Sequence, residues 1–202
     1  MPFIHPHKLL FVHIPKNGGT SIEKKFDIND NSLACCYRLE ELPYYCKEKD
    51  DTLIFSPQHF TPSLIKEYYE GFLKIYKKFT VVRDPYTRAI SEYLFRERNL
   101  KDFNDSHFLS WWEKFKESKS DHSLQQSEYF KNINYDFVLR FETLLQDFNS
   151  MCQELDIPPG LPHINKSHIS SSECVSLLSE KSIKFINEYY KEDFTNFGYK
   201  LL

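Results

Sequence analysis

An apolar run, Leu9-Leu10-Phe11-Val12, breaks at His13-Ile14-Pro15-Lys16-Asn17-Gly18-Gly19-Thr20-Ser21 and gives way to a helix-like pattern. A strand that turns into a helix within so few residues favours folds in which strands alternate with helices around a parallel sheet. The chain has five glycines, and two of them stand side by side in this turn. Adjacent glycines let a backbone wrap closely around a ligand. The N–H groups that open the next helix, the hydroxyls of Thr20 and Ser21 and the ammonium of Lys16 together suit a phosphate or sulfate. The order is not Gly-x-x-x-x-Gly-Lys-[Ser/Thr], because Lys16 precedes the glycines, so nucleoside triphosphate hydrolysis is a poor first reading. A plain turn in which Thr20 or Ser21 caps the helix is the alternative.

A second junction of the same kind lies at Phe79-Thr-Val-Val-Arg83-Asp84-Pro85-Tyr86-Thr87-Arg88-Ala-Ile-Ser91. Asp84 reads as the helix cap and Pro85 as its first residue. Asp84, Arg88 and Ser91 are four and three residues apart and share a helix face, while Arg83 ends the strand. Guanidinium groups bind phosphate bidentately, and a serine one turn further on adds a hydrogen bond. Two anion sites point to a doubly phosphorylated ligand. The alternative here is an Arg88–Glu92 surface ion pair at helical spacing, with Arg83 merely closing a strand.

The pattern predicts strands near 8–14, 52–56, 78–83 and 135–141, and helices near 20–27, 62–76, 85–98, 105–118, 123–132, 143–155 and 173–190. This is an α/β chain with a P-loop-like parallel sheet flanked by helices, and both anion loops fall at the carboxyl edge where such sheets bind ligands. At 202 residues and 41% hydrophobic the chain suits one domain, 1–202. The polar stretch 27–51 reads as a loop-rich insertion and a candidate acceptor-binding flap, or else as a solvated connection. A net charge of −3 argues against a nucleic-acid partner. No run approaches the roughly 20 apolar residues of a membrane span, and no signal-peptide core is present, so a cytoplasmic location is expected. Five cysteines without a Cys-x-x-Cys pair read as reduced thiols. His5 and His7 are taken as part of a mobile terminus, and no metal site is expected.

His59, in Gln58-His59-Phe60, follows a predicted strand end and so should face the same carboxyl edge. An imidazole of reference pKa about 6.5 suits proton transfer near neutrality; its alternative is to cap the helix beginning near Thr61. His13 lies in a strand and is expected to be packed. His122, Gln125 and Gln126 are candidates to touch a polar acceptor, with a solvated helix start as the alternative. One of Trp111 and Trp112 is expected in the core and the other is free to stack on a sugar ring.

Together the two junctions resemble the PAPS-dependent sulfotransferase superfamily, in particular the Golgi-type carbohydrate sulfotransferases of heparan and chondroitin. Their loops read Pro-Lys-Thr-Gly-Gly-Thr-Ser and Arg-Asp-Pro-x-x-Arg-x-x-Ser-x-Tyr. Tyr135–Phe148, Leu161-Pro-His163-Ile-Asn165-Lys166-Ser167 and the ending Tyr190–Tyr199 are similar to later family segments, so the likeness spans nearly the whole chain. The resemblance implies that Lys16, Asn17, Gly18, Gly19, Thr20 and Ser21 bind the 5′-phosphosulfate of 3′-phosphoadenosine 5′-phosphosulfate (PAPS), with Asn17 standing where the family has threonine. It implies that Arg83 and Ser91 bind the 3′-phosphate, and that Asn165, Lys166 and Ser167 close over the donor. It also supports His59 as catalytic base, with Lys16 on the departing phosphate. The expected activity is metal-free, in-line sulfuryl transfer from PAPS to a hydroxyl of a small-molecule or glycan acceptor, a carbohydrate first. A Golgi-lumenal location is expected only if this is an excised domain, since the family's animal members usually carry an N-terminal anchor. A kinase-like phosphotransferase and an inactive nucleotide-binding protein are the rival readings.

Overall fold

A computed structural model describes residues 3–28, 57–97, 100, 102–118, 120–162 and 170–202. Among these residues four strands, β1 (Phe3–Ile4), β2 (Leu9–Val12), β3 (Lys77–Val82) and β4 (Phe137–Arg140), form one sheet in the order β1-β2-β3-β4. β1 is antiparallel to β2, and β2, β3 and β4 run parallel with Phe11 opposite Phe79 and Phe79 opposite Phe137. Parallel neighbours need crossovers. Here the crossovers carry helices: α1 (Gly19–Lys25) and α2 (Pro62–Ile75) between β2 and β3, α3 (Pro85–Arg96) and α4 (Asp105–Phe115) between β3 and β4. After β4 come α5 (Leu144–Glu154), α6 (Ser171–Cys174), α7 (Glu180–Tyr189) and α8 (Lys191–Phe197). The expected α/β architecture, a mostly parallel sheet flanked by helices, is the one observed.

Side chains alternate across a strand, and β2 is apolar on both faces because both are covered. Leu9 and Phe11 join Phe79, Val81 and Leu139 under Ile22 of α1 and Phe148, Met151 and Cys152 of α5. Leu10 and Val12 join Phe3, Phe60, Tyr129 and Ile65 of α2 on the other side. A third cluster stands off the sheet, where Tyr86, Ile90 and Tyr93 of α3 meet Phe108 and Trp112 of α4 and Ile186, Tyr190 and Phe194 of the last helices. Trp112 is buried there with its indole N–H on the Ala89 carbonyl (3.2 Å), and Trp111 is partly buried in the same cluster against Phe115. Cys152 and Cys174 are buried free thiols.

Local signals set several boundaries. Asp84 Oδ1 accepts from Thr87 N (2.9 Å) with Pro85 in the first turn, as expected, and Asn104 caps α4 through His107 N. Three expectations are corrected. The helix expected over 123–132 is instead two short 3-10 turns, Asp121–Ser123 and Gln126–Phe130, separated by extended backbone at Leu124 and Gln125. Its would-be first-turn donors are captured elsewhere, since Asp193 Oδ2 takes Gln126 N (2.9 Å) and Oδ1 takes Ser127 N (2.8 Å). The helix expected over 173–190 breaks at Leu178, and Ser179 caps a fresh helix by accepting from Ser182 N. The N-terminus is packed from Phe3 onward rather than mobile: Phe3 is fully buried among Tyr69, Phe72 and Tyr76, and His5 Nδ1 meets the Tyr76 hydroxyl at 2.6 Å. The expected strand 52–56 and nearly all of the 27–51 insertion lie outside the described residues.

Phe148 seals α5 onto the central strands and is wholly buried. Phe148→Ala is expected to cost about 3–5 kcal/mol, the usual loss for a deleted core aromatic, measured as the shift in a urea unfolding curve.

Candidate active site

β2 ends at Val12, and the chain crosses the sheet's carboxyl edge through two left-handed residues, Lys16 (φ 68°) and Gly18 (φ 84°), before α1 begins at Gly19. Gly18 is required by its left-handed backbone and Gly19 by space. A Cβ on Gly18 would come within 2.9 Å of Leu144 Cδ2, and one on Gly19 would sit 1.9 Å from His13 Nε2. At the start of α1 the Ser21 N–H turns back to Gly18 O (3.1 Å), and the amides before it, which a helix leaves without partners inside it, lie beside an exposed Thr20 and a half-buried Ser21. The Lys16 ammonium lies 3.8 Å from the centre of the Phe95 ring, on α3. Asn17, by contrast, turns inward. It is buried, and its Nδ2 donates to Val81 O (2.6 Å) and Gln126 Oε1 (2.7 Å), so its side chain ties the loop to β3 and only its backbone faces the turn.

Arg83 sits at the end of β3, nearly buried, with its guanidinium 3.9 Å from the centre of the Phe141 ring. It donates from Nη1 to Lys16 O (2.9 Å), from Nη2 to Ser171 Oγ (2.6 Å) and from Nε to Thr87 Oγ1 (3.2 Å). The two junctions are thus joined by one side chain. Burial lowers its pKa to about 10 against the pull of Glu142 and Asp84, which leaves it charged at neutrality. Glu142 is fixed nearby, accepting from Asp84 N (2.8 Å) and the Tyr199 hydroxyl (2.9 Å). Ser91 lies half-buried two turns along α3.

The second guanidinium on that helix does not face the turn. Arg88 is buried, donating to Pro15 O (3.1 Å) and Leu124 O (3.0 Å), and it makes no surface pair with Glu92. Gln126 is a strut as well. Its Oε1 accepts from Asn17 Nδ2 and Arg83 N, and its Nε2 donates to Arg83 O (2.8 Å), leaving no exposed side chain for an acceptor. Gln125 is half-buried. Asn165, Lys166, Ser167 and His163 lie outside the described residues.

Beside the first loop, three imidazoles form a row. His59, in the turn Pro57–His59, has its ring centre 4.7 Å from that of His13 and 4.9 Å from that of His122, edge to face in both cases. Each ring gives its Nδ1 side to its own carboxylate: His13 to Glu23 (2.9 Å), His59 to Asp121 (2.8 Å) and His122 to Glu92 (2.7 Å). Phe95 stacks on His122 and carries Lys16 on its ring, so Lys16, His122 and His59 belong to one continuous cluster. Burial lowers the His59 pKa to about 4; Asp121 resists that shift and the neighbouring rings reinforce it. His59 is therefore neutral at pH 7. Glu23 and Glu92 are raised by burial, but hydrogen bonds from His13 and Gln58, and from His122 and Arg96, outweigh it and hold both below their ordinary values.

Sequence reasoning missed the carboxylates of the row, and also Phe95 and Ser171. Asp121 sits next to a histidine already singled out, and Glu92 reads in the sequence only as a surface partner for Arg88.

An α/β sheet with two strand-to-helix turns crosslinked at its carboxyl edge has the layout in which such sheets hold ligands. The model of the sulfotransferase family matches residues 3–200, and the chain belongs to that family. No curated protein and no solved structure matches it. The donor set fits a phosphosulfate: an ammonium, open helix-start amides, hydroxyls and a guanidinium that burial leaves charged.

Folding keeps His59 neutral while the unfolded chain holds an ordinary imidazole near 6.5. Below 6.5 the unfolded state binds the extra proton, so stability falls as pH drops from about 6.5 to about 4, by on the order of 3 kcal/mol. The groups facing His59 are His13, Asp121 and His122, with Glu23 and Glu92 behind the outer rings. The lowered Glu23 and Glu92 add their own loss at lower pH still. A His59→Gln variant is expected to flatten the 6.5-to-4 segment in a thermal-midpoint series, leaving the more acidic fall in place.

Proposed function

We propose that this enzyme transfers the sulfuryl group of PAPS to a hydroxyl of a carbohydrate acceptor, with His59 as general base. The observation that carries the reading is the meeting, on one sheet edge, of a glycine-paired anion loop, a crosslinking arginine and a buried neutral imidazole. When bound, PAPS supplies the sulfuryl group and a phosphate leaving group.

The work of this chain is to bind, align and move one proton. The α1 amides, Thr20 and Ser21 hold the phosphosulfate end, and Arg83 with Ser91 holds the 3′-phosphate. The Lys16 ammonium, which rests on the Phe95 ring, would supply the positive charge that the departing phosphate needs. His59 receives the acceptor's hydroxyl proton on Nε2, because its Nδ1 is committed to Asp121. Phe95, 37% exposed beside Lys16, and the half-buried His122 offer an aromatic face and a polar ring to an acceptor. The saccharide itself rests on the likeness to carbohydrate sulfotransferases.

Calorimetric titration with 3′-phosphoadenosine 5′-phosphate, ATP and AMP, without magnesium, tests the donor. Binding is expected to require the 3′-phosphate and to weaken at least about 30-fold in Arg83→Ala, the loss for truncating one partner of a buried charged contact. Equal or better binding of ATP would move the phosphotransferase reading to first place. For the base, His59→Ala is expected to lower turnover about 10²- to 10⁴-fold while nucleotide binding persists. Turnover close to the parent's would remove His59 from that role.

A further inference from the structure

We propose that Asp121 is the positioning residue for His59, fixing the tautomer in which Nδ1 carries the proton and Nε2 accepts one. The proposal rests on the reading of His59 as base.

His59 Nδ1 lies 2.8 Å from Asp121 Oδ2, and the two side chains are only 8% and 6% exposed. A carboxylate accepts and cannot donate, so the proton between them belongs to Nδ1. Asp121 is itself held. Its Oδ1 accepts from His122 N (2.9 Å) and the Ser120 hydroxyl (3.1 Å), and Ser120 caps the 3-10 turn that carries both residues. Ser123 returns its hydroxyl to Ser120 O (2.7 Å), which closes the turn. The carboxylate is therefore locked at its far oxygen by its own turn and aims the near one at His59, 62 residues away in sequence. His59, Asp121 and His122 bring ligand-type atoms within 4.8 Å of one another, a spacing that also suits a cation. Asp121 Oδ2 is shared with the His59 ring and Oδ1 with the turn, while Nδ1 of His122 is given to Glu92, so both rings are oriented through Nδ1 and keep Nε2 for a ligand or a proton.

The chemical consequence is specific. As the acceptor O–H bond breaks, its proton passes to His59 Nε2 and its electron pair forms the new O–S bond. The S–O bond to phosphate breaks with its pair leaving on phosphate. The imidazolium so formed lies against the Asp121 carboxylate, which favours it in a site where burial otherwise opposes the charge. His13 and His122, close on either side, make that support the more necessary.

The test compares Asp121→Asn, Asp121→Glu and His59→Ala in steady-state kinetics, with nitrogen-15 NMR of the imidazoles in the parent and in Asp121→Asn. In the parent, His59 is expected as the Nδ1–H tautomer. Asp121→Asn is expected to lower kcat about 10²-fold with little change in KM, to alter the tautomer population and to move the acid limb of the pH–rate profile; Asp121→Glu should restore part of kcat. An Nε2–H tautomer in the parent overturns the proposal even if the variants do not fold. So does parent-like kcat in Asp121→Asn alongside an inactive His59→Ala. Turnover retained by His59→Ala instead removes the base reading, while the tautomer measurement still decides whether Asp121 orients the ring.

Discussion

The amide of Gln126 is the contact on which the site depends. It bonds both the N–H and the carbonyl of Arg83, takes the Asn17 amide of the first loop, and is held from behind by Asp193 on its own backbone N–H. Parallel strands leave their carboxyl ends as separate loops with no ladder between them. A buried amide with both a donor and an acceptor can join two such loops in register, and removing it would strand the buried backbone groups of Arg83 without partners. Arg88 repeats the device, linking Pro15 O to Leu124 O. The two loops are thus tied together by polar side chains that are buried.

The imidazole row obeys a different economy. Burying three titratable rings side by side is costly if they charge, since each charge disfavours the next. One carboxylate per ring meets that cost locally, and the carboxylates are themselves anchored: Glu23 by Gln58, Glu92 by Arg96 and Asp121 by its turn. A ring whose Nδ1 is occupied in this way has one nitrogen left for chemistry, so the pairing selects which atom of each ring can act. The same arrangement stabilises the fold at neutral pH and makes it sensitive to acid.

What could be read in the sequence was what neighbouring residues decide. Pro85 after Asp84 started α3 where expected, and the paired glycines opened α1 because only they tolerate that backbone and that crowding. What could not be read depends on distant partners. The 123–132 stretch has helix-compatible residues, but Asp193, 66 and 67 positions away, claims its amides. Arg83 and Arg88 look alike in sequence, yet one lines the turn and the other is rotated into the interior. Asn17 and Gln126 read as polar loop residues and are struts. The partners of His13, His59 and His122 are 10, 62 and 30 residues away, and no spacing rule links them.

Gly19 joins these two systems. The His13 ring occupies the space where a side chain on residue 19 would stand, so the start of α1 and the end of the imidazole row share one van der Waals surface. Their separation is set by contact between hard atoms, with no hinge or flexible spacer between them. The glycine loop and the row of imidazoles that begins at His13 are therefore ruled from a common edge, and neither can drift during evolution without the other being recut to match.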